Sequence, residues 1–191
     1  MARLNTTETY RSLRTMIKHA AGDDPIRSVL VVDVDRDHPS DVALNIARAF
    51  AAARERCVLI DTNVRQTAGE GPGLFDLISD SGIAVDFSAG AEGYAVVQPG
   101  QHGDPDMLAT PALGEAIDTV LDNFDIAIVT CDVFPSSGDA VAIAPVVDAV
   151  IIVISAGVTR REQAIQARDA LERVGARFLG MVMIERPRRW F

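Results

Sequence analysis

Asp33, Asp35, Asp37 and Asp41 crowd four carboxylates into one short stretch, with Arg36 the single cation among them and Ser40 close behind. Acids at alternate positions can hold a hard cation, and a hydroxyl at a helix start can meet a phosphate. The run begins as a calcium loop does. Its sixth position is His38 where that loop needs Gly, and its twelfth is Leu44 where it needs Glu. The phosphate-loop signature G-x-x-x-x-G-K-[ST] fits no better. Laid back from Ser40, its first Gly falls on Asp33, its second on His38 and its Lys on Pro39. Pro39 has no N–H to donate and no charge. A carboxylate about 4 Å from a phosphate charge costs roughly 1 kcal/mol in water and about 4 kcal/mol at a protein surface. The plain alternative is an acidic loop at a helix start, with Ser40 or Asp41 as the N-cap.

A second set of polar residues follows other apolar runs. Asp61 ends Cys57-Val58-Leu59-Ile60 and is followed by Asn63 and Arg65. Thr130 ends Phe124 to Val129, with Asp132 two residues on. Together with Asp33, these residues form a candidate hydrated acidic cleft or a remodelled binding pocket.

The elements that must position these groups are legible as periodicity. Ser28 to Val32, Cys57 to Asp61, Tyr94 to Val97, Phe124 to Val129, Ala149 to Ile154 and Phe178 to Ile184 read as buried strands. Asn5 to Ala20, Asp41 to Arg54, Leu74 to Ser79, Asp106 to Asn123 and Thr159 to Val174 read as helices, and Gly175 sits where a helix-ending Gly belongs. In the first helix Tyr10, Leu13, Ile17 and Ala20 form the apolar face, and Glu8, Arg11, Arg14 and Lys18 are expected on the opposite side. Strands alternating with helices predict an α/β fold: a doubly wound, mostly parallel sheet with helices on both faces. Ligands on such sheets bind beyond the carboxyl ends of the strands, where Asp33, Asp61 and Thr130 fall.

The 191 residues predict one domain, with residues 1–22 as an N-terminal helical segment and 185–191 as a short basic and aromatic tail. A hydrophobic content of 48% excludes a disordered chain, and a net charge of −9 argues against nucleic acid as a partner. Met1 to Lys18 is polar, which predicts no secretory leader and a cytoplasmic protein. Cys57 and Cys131 read as buried small hydrophobes, and His19, His38 and His102 as surface residues.

The ordered set of motifs resembles the cytoplasmic domain of the bacterial tyrosine kinases, or BY-kinases: deviant P-loop ATPases of polysaccharide export and chain-length control. Glu8-Thr9-Tyr10-Arg11-Ser12-Leu13-Arg14 matches that family's E-x-x-R-x-x-R oligomerisation motif. Val58 to Arg65 matches its second acidic motif, with Asn63 for an Asp. Gly73-Leu74-Phe75-Asp76-Leu77-Ile78, Phe124 to Val129, and Val174 to Gly180 also match, so that the likeness runs from Glu8 to Ile184. The departures fall on chemistry. Pro39 replaces the phosphate-binding Lys, Thr130 replaces the acid that would hold a magnesium-bound water, and Ile184 replaces the Asn near the adenine. Only Tyr10 and Tyr94 remain as tyrosines, so the C-terminal tyrosine cluster is missing.

The resemblance therefore implies a catalytically silent, kinase-like scaffold or regulator of exopolysaccharide or capsule assembly. It would bind no ATP or magnesium, have no catalytic residues, and associate through Glu8, Arg11 and Arg14. Its implied partner is a membrane polysaccharide co-polymerase or export protein that would hold it at the inner membrane. An active autokinase or ATPase with an atypical nucleotide site stands as one alternative. A binding module for another small ligand or a metal, built from Asp33, Asp35, Asp37, Pro39, Ser40, Asp61, Asn63, Thr130 and Asp132, stands as another.

Overall fold

In a computed structural model of the chain, the described residues are 6–20, 24–34, 40–63, 71–87, 90, 92–101 and 103–185. Six strands form one sheet: β1 (Ser28–Asp33), β2 (Cys57–Asp61), β3 (Ala95–Val97), β4 (Ile126–Thr130), β5 (Ala149–Ser155) and β6 (Phe178–Ile184). Their order is β3-β2-β4-β1-β5-β6, and every pairing is parallel. The helices are α1 (Thr6–His19), α2 (Val42–Ala51), α3 (Leu74–Ser79), α4 (Ala112–Leu121), α5 (Asp139–Ile143) and α6 (Arg161–Arg173).

Both sheet faces are covered, so the central strands are apolar on both sides instead of alternating with polar residues. Along β1, Val29 and Val31 pack with Ile17 of α1 and with Val42, Ile46 and Phe50 of α2. Leu30 and Val32 turn the other way, toward Leu74 of α3, Ile117 of α4, Ile143 of α5 and Leu171 of α6. The doubly wound P-loop NTPase-like architecture expected from the sequence is the one found.

Three local readings need correction. Asp106 to Asn123 is not one helix. A 3-10 helix (Pro105–Ala109) ends at Thr110, whose backbone is extended, and α4 begins after Pro111. The proline ring disfavours helical geometry in the residue before it, which separates the two pieces. On α1, Ile17 is buried, Tyr10 and Leu13 are only half-buried, and Ala20 is exposed. The helix lies against α2 and covers the sheet only partly. Cys57 is buried as expected, whereas Cys131 is half-buried just past the end of β4.

Gly175 has φ +80° just past α6, as its position predicted. Its amide donates to the Glu172 carbonyl at 3.0 Å.

Candidate functional site at the carboxyl edge of the sheet

The chain leaves β1 toward β2 on one side, and leaves β4 toward β5 on the other. The crevice between β1 and β4 is thus the topological switch point, where such sheets bind their ligands. Asp33 ends β1, Thr130 ends β4, and Asp61 ends β2 in register with Thr130. The sheet therefore sets Asp33, Thr130 and Asp61 on three neighbouring strand ends. Ser40, Asn63 and Asp132 follow in the adjoining segments. Asp35, Asp37 and Pro39, which belong to the same candidate set, lie outside the described residues.

Asp33 defines the geometry. One carboxylate oxygen, Oδ2, accepts the Ser40 backbone N–H at 3.1 Å, and its carbonyl accepts the Phe134 N–H at 2.9 Å. The first contact places a negative charge on an amide just before α2, at the end of the helix that attracts anions. The Ser40 hydroxyl accepts weakly from the Val42 N–H at 3.4 Å. Asp41 occupies the N-cap position, but its side chain makes no capping hydrogen bond. Of the two caps expected, only Ser40 acts, and Asp33 is the acid that bonds the backbone there. Sequence reasoning missed this role because it depends on where the fold sets Ser40 relative to the end of β1.

Asp61 and Thr130 form a second coupled pair. The Asp61 Oδ1 accepts the Asn63 N–H at 3.0 Å, and the Thr130 hydroxyl stands 3.4 Å from that oxygen and 3.4 Å from the Ile60 carbonyl. Burial pushes the Asp61 carboxyl above the usual carboxylate range, and the Asn63 amide and Thr130 hydroxyl pull partly against it. Thr62 is fully buried, and both its hydroxyl and its N–H reach the Thr130 carbonyl, at 2.9 and 3.1 Å. This clamp joins the ends of β2 and β4 and has no signal in the sequence.

The Asp132 carboxylate accepts its neighbour Val133's N–H at 2.8 Å. Burial, with the nearby Asp139, Asp33, Asp132 and Asp61, drives the Cys131 thiol far above its ordinary value. That thiol stays protonated and is a poor nucleophile or metal ligand. Among the described residues, no three His, Cys, Asp or Glu side chains form a metal cage.

Tyr10 of α1 also belongs to this neighbourhood. Burial raises its phenol pKa, a hydrogen bond from Asn45 lowers it, and the charges of Asp41 and Asp33 raise it further. The sequence places Tyr10 only on an apolar helix face, and packing brings it near the acidic strand end.

The expected charged stripe on α1 is also smaller than its spacing implied. Glu8 and Arg11 are exposed and pair at 3.6 Å. Arg14 instead turns inward, its Nη1 donating to the Ala49 carbonyl of α2 at 3.1 Å. Lys18 reaches Glu55 at 2.7 Å. Both cations tether α1 to its own domain, because a long side chain can extend along the helix surface to a partner off the mean direction of its Cβ. Only Glu8 and Arg11 keep the outward role.

Comparisons with known proteins agree with this architecture. No family model matches the chain. It is 25% identical over 189 residues to the tyrosine-protein kinase YwqD of Bacillus subtilis, covering 93% of this chain and 80% of that one. It is 24% identical over 204 residues to the succinoglycan biosynthesis transport protein ExoP of Rhizobium meliloti, covering 92% of this chain and 24% of that longer protein. Among solved structures, the kinase domain of the Escherichia coli tyrosine kinase ETK superposes with a TM-score of 0.83 at 18% identity, covering 97% of this chain and 77% of that one.

Proposed function

The chain belongs to the BY-kinase family, and within it we propose a non-catalytic member: a regulator or scaffold of bacterial polysaccharide assembly that works by contact. The observation that carries this reading is the Asp33 carboxylate on the Ser40 amide. The amide that a phosphate-binding loop would offer to an anion is bonded to an anion of the chain itself. A nucleotide phosphate arriving there meets a fixed negative charge, and the position of the helpful Lys is Pro39. Phosphoryl transfer rests on charge neutralisation by a Lys and bound magnesium, with a positioned base. Thr130 is a hydroxyl where the family's metal-side acid would stand, and it hydrogen-bonds toward Asp61 instead of adding a second carboxylate. The donor set at this edge does not suit magnesium and a nucleotide.

Polysaccharide assembly is supported by kinship. One relative is named as a succinoglycan biosynthesis transport protein, and the likeness spans only a quarter of its length. A domain of this kind therefore occurs joined to a transport protein, and the partner proposed here is a membrane co-polymerase or export protein. No described helix is long and apolar enough to cross a membrane, so attachment to the inner membrane would run through that partner. Self-association through Glu8 and Arg11 is part of the same reading.

Complementation tests it. In cells lacking the protein, loss of a surface polysaccharide is restored by wild type and by Asp61→Ala, but not by Arg11→Glu. If Asp61→Ala folds and accumulates yet does not restore the polysaccharide, the cleft performs chemistry and the scaffold reading falls.

A further inference from the structure

The seam between α1 and α2 is polar along its length. Three residues of α1 meet the α2 side in step. Asn45 hydrogen-bonds the Tyr10 phenol, the Arg14 Nη1 donates to the Ala49 carbonyl at 3.1 Å, and the Lys18 ammonium reaches Glu55, just past the helix, at 2.7 Å. Residues four apart share a helix face, so Tyr10, Arg14 and Lys18 form one stripe turned to α2. The order of their partners makes the two helices parallel. The apolar hold of α1 is small. Among its described side chains only Ile17 is buried, with Tyr10, Leu13 and Arg14 half-buried. The shorter α2 buries Val42, Ala43, Ile46, Ala47 and Phe50. Parallel neighbours also set like ends of their dipoles side by side. Arg14 and Lys18 offset this at the carbonyl end of α2, and Asp33 does so at its amide end. Yet the Arg14 Nε is buried with no hydrogen-bond partner among the described residues, so its guanidinium is only partly satisfied. The seam thus depends on charges and hydrogen bonds near the surface, which salt screens and water replaces.

We propose that α1 is a strap: it leaves α2 and melts as a unit while the sheet and the other helices stay folded. Glu8 and Arg11, through which the chain is proposed to associate, ride on this strap. Its release uncovers the side of the core where Ile17 packs with Val29 and Val31. A helix of 14 residues is marginal in water without tertiary contacts, so undocking frees its amides together. Opening of this kind needs less free energy than global unfolding, and amide exchange detects it. The strap does not rest on the catalytic state of the cleft.

Hydrogen exchange of the full chain, followed peptide by peptide by mass spectrometry, tests this. In about 0.1 M NaCl the amides of α1 from Tyr10 onward should be at least roughly tenfold less protected than those of α2 and β1. About 1 M NaCl shortens the screening length from roughly 10 Å to 3 Å. It should lower α1 protection about threefold more and leave α2 and β1 unchanged. Arg14→Met and Lys18→Met keep apolar stems but no donors, and each should lower α1 protection about two- to fivefold, again without change in β1. Self-association through Glu8 and Arg11 would add protection that rises with chain concentration, so the value at low concentration is the one that reports the strap. Equal protection of α1 and α2 overturns the proposal, because α1 then opens only with the whole domain. So does α1 protection that neither salt nor the two variants move, since apolar contacts then hold the seam. A loss in Arg14→Met that spreads equally to β1 overturns it as well.

Discussion

If the Asp33 carboxylate takes the place of an anion at the start of α2, removing it should both weaken the fold and free the place. Asp33→Ala deletes the bond to the Ser40 N–H at 3.1 Å and the charge beside the helix start. Loss of a capping-type side chain costs about 0.5–2 kcal/mol, and loss of a favourable charge at a helix N-terminus about 0.3–1 kcal/mol. The two overlap, because one carboxylate supplies both, so the combined cost is roughly 1–2 kcal/mol. For a chain of this size, each kcal/mol moves Tm by about 2–4 °C, so the variant should melt roughly 2–8 °C lower. Asp33→Asn keeps an acceptor but not the charge, and should lose only about 0.3–1 kcal/mol. Thermal melts in chloride and then in sulfate at matched ionic strength complete the experiment. Sulfate should recover part of the Asp33→Ala loss and give wild type no comparable gain, since only the variant has an open anion position. An Asp33→Ala protein as stable as wild type, or equal sulfate responses, would refute the account of this site.

Other expectations follow from the same geometry. Titration calorimetry with Mg-ATP up to millimolar ligand should show no binding; a micromolar dissociation constant would contradict the reading of the phosphate position. Asp61 carries a raised carboxyl pKa. The folded state therefore holds that proton more tightly than the unfolded chain does. Its contribution favours folding below the unfolded value of about 3.9 and is lost as pH rises through the folded value. Asp61→Asn, which keeps the acceptor for the Asn63 amide, should be more stable than wild type at pH 7, with the gap closing toward pH ~4. Urea unfolding at the two pH values checks this, and a gap that widens on acidification would reverse the sign. At Gly73, a Cβ would lie 2.2 Å from the Gln98 carbonyl oxygen and 2.5 Å from the Gly100 nitrogen. Both are backbone atoms that cannot swing aside. Gly73→Ala should then cost about 1–3 kcal/mol, seen as a lower urea midpoint, and an unchanged midpoint would show that this turn relaxes freely.

The sequence by itself determined the layers of this protein and, through the resemblance, the expectation of a phosphate loop without its Lys. Runs such as Val29 to Val32 and Ile126 to Val129 are apolar at every position, and only a strand buried on both faces needs that. Pro39 and Thr130 stand where the resemblance leads one to expect a Lys and an acid, and that comparison is made position by position without coordinates. The tertiary structure decided which groups meet. Arg14 reads as part of an outward stripe until α2 places the Ala49 carbonyl within its reach, thirty-five residues away. Thr130 and Asp61 become partners only because β4 inserts beside β2, and Tyr10 nears Asp33 only because α1 packs along α2. That β6 has a strand on only one side among the described residues likewise follows from strand order, not from the text of β6. Local periodicity records how often a residue is turned toward the core. The partner it finds there is fixed by contacts between segments far apart in the chain, whose closure no local pattern encodes.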